Sequence, residues 1–532
     1  MTRLFALVLV CVLMFAPFSA QAAIDKAGAA HLTGIFTKLL DEQKISARLQ
    51  GQDLKSQGEV LVEPAGSYYA VTLPHLSLVH ADSSTLDLGI LVINAMPGSS
   101  AQEWKMTLAI PTPIIGYDAA KKPISRLDIG KQSFTGVWNE SINNFSKLDA
   151  RYENITSLSS ANGATLKIPK AAVIYDLTRN ADGKTWSGPT KFTMENITLL
   201  REGNAGQSKI GRLTMDTMVQ DYSYEKMREY QQKMTALSAT ASAAAVNSDQ
   251  LADVILDMIG SIWGGFGTQI VLDDVDLSRP AIPGSPAGRL ATKQIRLGFD
   301  AKGFAADNVT MTMKTQYDGL TLTPAPAGFN EVTPGRLNLD LTVENLPYKK
   351  LINLTRKTAE AASTSAEPQK NAGMLAAKLI PQMLTQAGTT LKINKSYLGN
   401  NTYNIDLDGQ AVANMATVMG AVGKATLNIT GLDDLIALTK AQMKKTDLPP
   451  DAMKKLQGTF VTLSVLQLSG QQGKDATGKS MRSYNLELTP EGKVMVNGAD
   501  LTTLMTLAGA AAGQPKAAPA PAAAPVPPVA KP

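Results

Sequence analysis

Cysteine is almost missing from this sequence: Cys11 is the only one, and it lies within the first 22 residues. A disulfide framework, a Cys-X-X-Cys metal or redox site and a cysteine nucleophile in the body of the chain are thereby excluded. Histidine is nearly as scarce. His31, His75 and His80 are the three present, too few for a histidine-rich metal cage. Aromatic side chains make up 5% of the 532 residues, so base-stacking platforms for nucleic acid would be sparse. The 51 Lys and Arg nearly balance 46 Asp and Glu without forming a dense basic block, so no polyanion surface and no nucleic-acid partner is indicated. Beyond the N-terminus, no stretch is apolar for the roughly 20 residues that a spanning helix needs. Against these shortages stands a hydrophobic content of 44%, enough for a large core over several domains' worth of chain.

The two ends are compositionally distinct. Residues 1–22 have the layout of a signal peptide: Arg3 gives a positive start, residues 4–18 are apolar, and Ala20 and Ala22 are the small residues a signal peptidase reads. An apolar run of about 15 residues is short for an anchor. Cleavage after Ala22 and a periplasmic location are expected, or inner-membrane association if the segment is kept. Residues 508–532 are dominated by Ala and Pro, with two Lys and no acid. Such a tail cannot bury a core and is expected to be disordered, free to touch a membrane or cell wall.

Between the ends the periodicity changes several times. Residues 23–222 read as one helix followed by a β-rich region. Leu32, Ile35, Phe36, Leu39 and Leu40 recur at helical spacing, with His31 at the start as a surface residue. Residues 59–63, 68–73, 86–93 and 105–110 then read as strands separated by Gly and Pro turns. Residues 223–266 read as a helical insertion, and 267–344 as β-hairpin repeats. The repeat is an acidic residue, Asn or Asp, a β-branched residue and a polar one. It occurs at Glu153-Asn154-Ile155-Thr156, Glu195-Asn196-Ile197-Thr198, Asp273-Asp274-Val275-Asp276 and Asp307-Asn308-Val309-Thr310. Gly-Arg-Leu follows three of the copies, at Gly211, Gly288 and Gly335, each expected to open a strand. The last is the most regular: Leu337, Leu339, Leu341 and Val343 share one face, so Leu339 and Leu341 are expected to be buried while Asn338 and Asp340 face out. Asn-Xaa-Ser/Thr triplets, for example at Asn154 and Asn428, read as solvent-facing strand residues.

Residues 345–507 read as a second α+β region. Asn345 is expected to cap a helix with Pro347 in its first turn. A second helix is expected at 372–386. Thr430 is expected to cap a helix over 432–444, with Asp433 in a capping-box position, and 451–456 is expected to be helical. A hairpin through 483–496 closes the fold.

Three places in this half resemble the YdgA-like family of bacterial envelope proteins. One is the alternating strand 335–344 running directly into a helix with Tyr348. Another is the strand 424–429 followed by Gly431-Leu432-Asp433-Asp434-Leu435-Ile436. The third is Leu486-Glu487-Leu488 through Val494-Met495-Val496-Asn497-Gly498, followed by a Leu/Met-rich stub and the Pro/Ala tail. The likeness covers roughly residues 310–532, judged by the order of elements. It implies an envelope location and supplies no catalytic residues. The family keeps its N-terminal segment as an anchor, and the good cleavage site here departs from that pattern.

Chemistry-bearing motifs are near-misses. Gly420 to Thr426 is close to a phosphate loop but lacks the Gly at Val418 and the Ser/Thr after Lys424. Asn404 to Gly409 matches the first half of a calcium loop, but position twelve is Met415 where a bidentate Glu is required. Gly284 to Gly288 places Ser285 wrongly for a nucleophile elbow. Asp273-Asp274 and Asp433-Asp434 do not converge, because adjacent residues diverge on strand and helix alike. The sequence therefore carries no catalytic, cofactor-binding or metal-ligating residue, and no cofactor is expected. The expected fold is α+β: an extended curved antiparallel sheet of repeated hairpins with helices packed along one face. The expected function is a non-catalytic periplasmic scaffold or interaction module whose partners are envelope proteins. The alternative is a carrier for an apolar ligand such as lipid. An uncovered apolar trough marks the carrier, and a sealed core marks the scaffold.

Overall fold

The structure, a computed structural model, describes residues 24–160, 163–201, 206–240, 254–255, 257–258, 260–281, 286–324, 333–364, 368–444 and 448–503. The signal-like segment, the Ala/Pro tail and Ser285 lie outside them. Strand accounts for 53% of the structure and helix for 24%, so the fold is mostly β, built on one large open antiparallel sheet. Among the described residues no helix is long and apolar enough to cross a membrane.

The sheet's long central ladder is made by hairpin addition. Pro123–Asn139, Asn144–Ser159, Ala164–Asp176, Trp186–Arg201, Gln207–Tyr222, Gly265–Arg279 and Gly288–Lys302 lie side by side in that order. Val309–Asp318, Arg336–Leu346, Thr390–Gly399, Asn404–Ala413, Ala421–Thr430 and Ser480–Leu488 continue it. At ~4.8 Å per strand the ladder is on the order of 60 Å across.

Strand alternation gives the ladder one apolar and one polar face. The pairings align Phe134, Ala150, Val173, Phe192, Met215, Ile270, Leu297, Thr315 and Leu339 in one transverse row. The adjacent row on the other face is Thr135, Asp149, Ile174, Lys191, Asp216, Gln269, Gly298, Lys314 and Asp340. Opposite charges stand directly across from one another there, with Lys314 at 2.9 Å from Asp340 and Lys191 at 3.8 Å from Asp216. Each such exposed pair contributes about 0.2–1 kcal/mol and helps to fix register.

A crease crosses this ladder. The registers on either side bring Gly130, Asn154, Pro169, Asn196, Gly211, Asp274 and Lys293 into line across consecutive strands. Asn154, Asn196 and Asp274 are left-handed there, with φ of 56°, 54° and 51°, a conformation that Asn and Asp tolerate better than other residues with a Cβ. The inserted kink reverses side-chain parity. Leu148, Ala150 and Tyr152 face the core before it and Ile155 after it, so the apolar face continues unbroken. Three copies of the sequence repeat are this crease. The fourth differs: Asn308 lies in the bend before the strand Val309–Asp318.

At one end the ladder forks. The strand Pro123–Asn139 pairs through Thr135–Asn139 with Glu103–Ala109 and through Pro123–Leu127 with Ile114–Tyr117. The first prong continues through Val92–Pro97, Tyr68–Thr72 and Leu61–Ala65. The second continues through Thr85–Gly89, His75–His80 and Gln52–Gln57. The helix Lys26–Leu49 closes over the fork. Asp25 caps it by accepting from Gly28 N at 2.7 Å. Its buried Ala29, Leu32 and Phe36 join Tyr69, Trp104 and Phe145 in the largest core. At the far end, Leu432–Met443 and Pro450–Ser469 pack Leu435, Ile436 and Leu463 against Tyr403, Ile429 and Tyr484. The middle has only a small buried cluster around Ala301, Phe304 and Val309 among the described residues.

Several local expectations are corrected. Leu339 and Leu341 do share a face, but they are only half-buried, because the open ladder leaves that face thinly covered. Asn345 is not a helix cap: it is left-handed, φ 55°, within the strand Arg336–Leu346, and the helix begins at Tyr348. Gly431, at φ 74°, occupies the cap expected for Thr430, with no side-chain cap bond. The stretch 451–456 belongs to a helix that runs Pro450–Ser469. Residues 86–93 form parts of two strands rather than one. Gly211 lies within the strand Gln207–Tyr222, at the crease, and does not open it.

Candidate apolar ligand site

The fork encloses a cavity of ≈ 590 Å³, within the ~300–1,000 Å³ range of small-molecule sites. Four walls build it, each from the inward positions of its own element. Ile35, Phe36 and Leu39 come from the helix Lys26–Leu49, one turn apart. Leu54, Leu76 and Leu78 come from one prong, Ile93, Met106 and Leu108 from the other, and Phe134, Leu148 and Val173 from the ladder. No Asp, Glu, Lys, Arg or His is among the described residues that line it.

Polar lining groups fall in two places, Gln43, Gln50 and Gln52 at one and, at the other, three tyrosines around Asn144, which is 2% exposed. Its Nδ2 donates to the Tyr224 hydroxyl oxygen at 3.3 Å. Its Oδ1 accepts from Phe145 N at 2.8 Å and from the Tyr175 hydroxyl at 3.3 Å. Tyr175 also donates to the Phe145 carbonyl. Burial pushes the Tyr175, Tyr222 and Tyr224 hydroxyls well above the ordinary tyrosine range, so all three stay neutral at physiological pH.

An aromatic path leads from here onto the open ladder. Tyr224 and Tyr222 meet edge-on at 4.7 Å, Tyr222 lies 6.3 Å from Trp263, Trp263 lies 5.8 Å from Phe266, and Phe266 lies 6.5 Å from Phe299. Farther along the same face, Leu297, Met313 and Leu391 are 44%, 46% and 44% exposed. Beyond the cavity, the apolar face of the ladder thus carries half-exposed side chains.

The histidines fall elsewhere. His31 is not a free surface residue: its Nε2 lies 3.0 Å from Oε1 of Glu140, which is 3% exposed and also accepts from Trp104 Nε1 at 2.5 Å. This buried contact ties the N-terminal helix to the fork. No local pattern announces it, because Glu140 is 109 residues away from His31. His75 pairs with Asp87 at 3.0 Å, both well exposed and neither lining the cavity. Among the described residues no cluster of three His, Cys, Asp or Glu could hold a metal ion. Asn404 and Asp406, the near-miss calcium residues, sit on the strand Asn404–Ala413 and hydrogen-bond to each other at 2.7 Å. Gly420 is a turn before the strand Ala421–Thr430.

Comparison with protein-family models and with curated proteins finds no match for this chain. Its site therefore has to be read from its own geometry.

Proposed function

We propose that this is a non-catalytic envelope protein that carries lipid chains, holding them in the fork cavity and along the apolar trough. The observation that carries the proposal is that an apolar cavity and an apolar sheet face, half-exposed for much of the ladder, lie on the same side of one sheet. Bare apolar surface is unfavourable in water at about 25 cal/mol per Å², and a bound lipid chain would cover both the face and the cavity. The lining offers no carboxylate, imidazole or amine for acid–base work, which supports a binding role over an enzymatic one. In this reading the fold is of the α+β kind, with the helices along the apolar side and the ion-paired face outward. The periplasmic address and membership of the YdgA-like family belong to the same proposal, resting on residues 1–22 and on the order of elements after residue 310.

Native mass spectrometry of protein purified from its own membrane fraction tests the carrier. Lipid adducts that survive gentle desolvation are expected. A bare chain that also fails to take up lipid from vesicles would return the protein to the scaffold reading.

A further inference from the structure

We infer that the cavity receives an uncharged lipid and that the Tyr222 and Tyr224 hydroxyls donate to its carbonyl oxygen, as in a fatty-acyl ester. This rests on the carrier reading and narrows its ligand class. A carboxylate or phosphate drawn inside would lose its water and meet no opposite charge in the lining, at a cost far above that of a neutral polar group. An ester carbonyl asks only for donors, and Tyr222 and Tyr224 supply donors at the Asn144 end of the wall. Tyr224 accepts from Asn144, so its own proton is left to give. The Tyr222 hydroxyl makes no hydrogen bond to any described residue, although Tyr222 lines the cavity. The two rings meet edge-on with centroids 4.7 Å apart, and both residues line the cavity. Asn144 Oδ1 already accepts from Phe145 N and shares the single Tyr175 proton with the Phe145 carbonyl. Burial keeps both tyrosines in the donating form.

The test compares methyl oleate, oleate and hexadecane on the full-length protein at pH 8, followed by equilibrium dialysis. The first two share a chain and differ in charge, and the third has the chain alone. Methyl oleate is expected to bind at least about tenfold more tightly than oleate, one desolvated charge being worth that or more. Tyr222→Phe combined with Tyr224→Phe should weaken methyl oleate roughly tenfold, as expected for two lost hydrogen bonds, and leave hexadecane unchanged. Hexadecane binding thus reports that the variant cavity is intact. Oleate binding as tightly as its ester, or a double variant that loses ester and hexadecane alike, would overturn the inference while leaving a carrier. Failure of methyl oleate and hexadecane both to bind the wild-type protein would overturn the carrier reading along with it.

Discussion

Asn154 stands across from Gly130 on neighbouring strands, so close that a Cβ on the glycine would lie 3.0 Å from the asparagine Cβ and 3.4 Å from the Glu153 carbonyl oxygen. The same fit recurs where Gly211 meets Asp274, at 2.9 Å. A left-handed residue in one strand brings its backbone towards the next, and a glycine there gives it room.

Replacing Gly130 by Val should therefore destabilise the protein by about 1–3 kcal/mol through overpacking. Asn154→Gly keeps the left-handed backbone accessible and should stay within about 1 kcal/mol of wild type. Urea denaturation of the two variants checks the contrast. Equal losses would mean that the crease is not a close-packed line.

Glu140 should be far less replaceable than its place in a turn suggests. Glu140→Leu leaves the Trp104 indole nitrogen and His31 without their acceptor and is expected to cost about 2–4 kcal/mol. Glu140→Gln keeps an acceptor oxygen and should cost less than half of that. Thermal melting followed by circular dichroism reads both.

Burial sets different costs for one substitution along the apolar face. Leu148, 4% exposed in the fork core, should lose several kcal/mol on change to Asp, as other uncompensated buried charges do. Leu339→Asp, on the thinly covered middle, should cost about 1 kcal/mol. Its larger effect should be on lipid uptake, measured by the same native mass spectrometry.

Alkali should weaken the packing of the helix Pro450–Ser469. Burial pushes the Tyr484 hydroxyl from its ordinary 10 up to about 12, and that hydroxyl donates to the Leu466 carbonyl at 2.6 Å near the end of the helix Pro450–Ser469. The folded state prefers the protonated form. Its contribution is whole below pH 10 and is lost as pH rises through 12. Melting temperature should fall more steeply between pH 10 and 12 in wild type than in Tyr484→Phe, which has no hydroxyl to ionise. Parallel curves would contradict the assignment.

Much of this architecture can be read from period-two patterning, because each strand of an open ladder shows one apolar and one polar face, as Leu337 to Glu344 do. The repeat at residues 153, 195 and 273 was visible as well, though as a hairpin mark. That it is a crease depends on Gly130 and Pro169, which only pairing brings into line. Burial was the least legible property. Alternation at Leu339 and Leu341 says which face they share, while the depth of cover depends on whether another layer arrives. The cavity joins residues 35, 78, 106 and 222 from four elements, and no local motif announces such a convergence. The Tyr222-Xaa-Tyr224 pair before a predicted helix was the one nearby signal.

Two dissimilar ends, each with its own helices and core, terminate a middle whose strands pair each with its neighbours and whose helices Tyr224–Thr240, Tyr348–Thr364 and Pro368–Ala387 connect them. The reach of such a molecule is a matter of arithmetic. Inserting one more hairpin into the middle lengthens the ladder by about 10 Å and asks nothing new of either terminus. Deleting one shortens it by the same step. The length of such a ladder can change by gain or loss of whole units, while the fork with its cavity is left untouched.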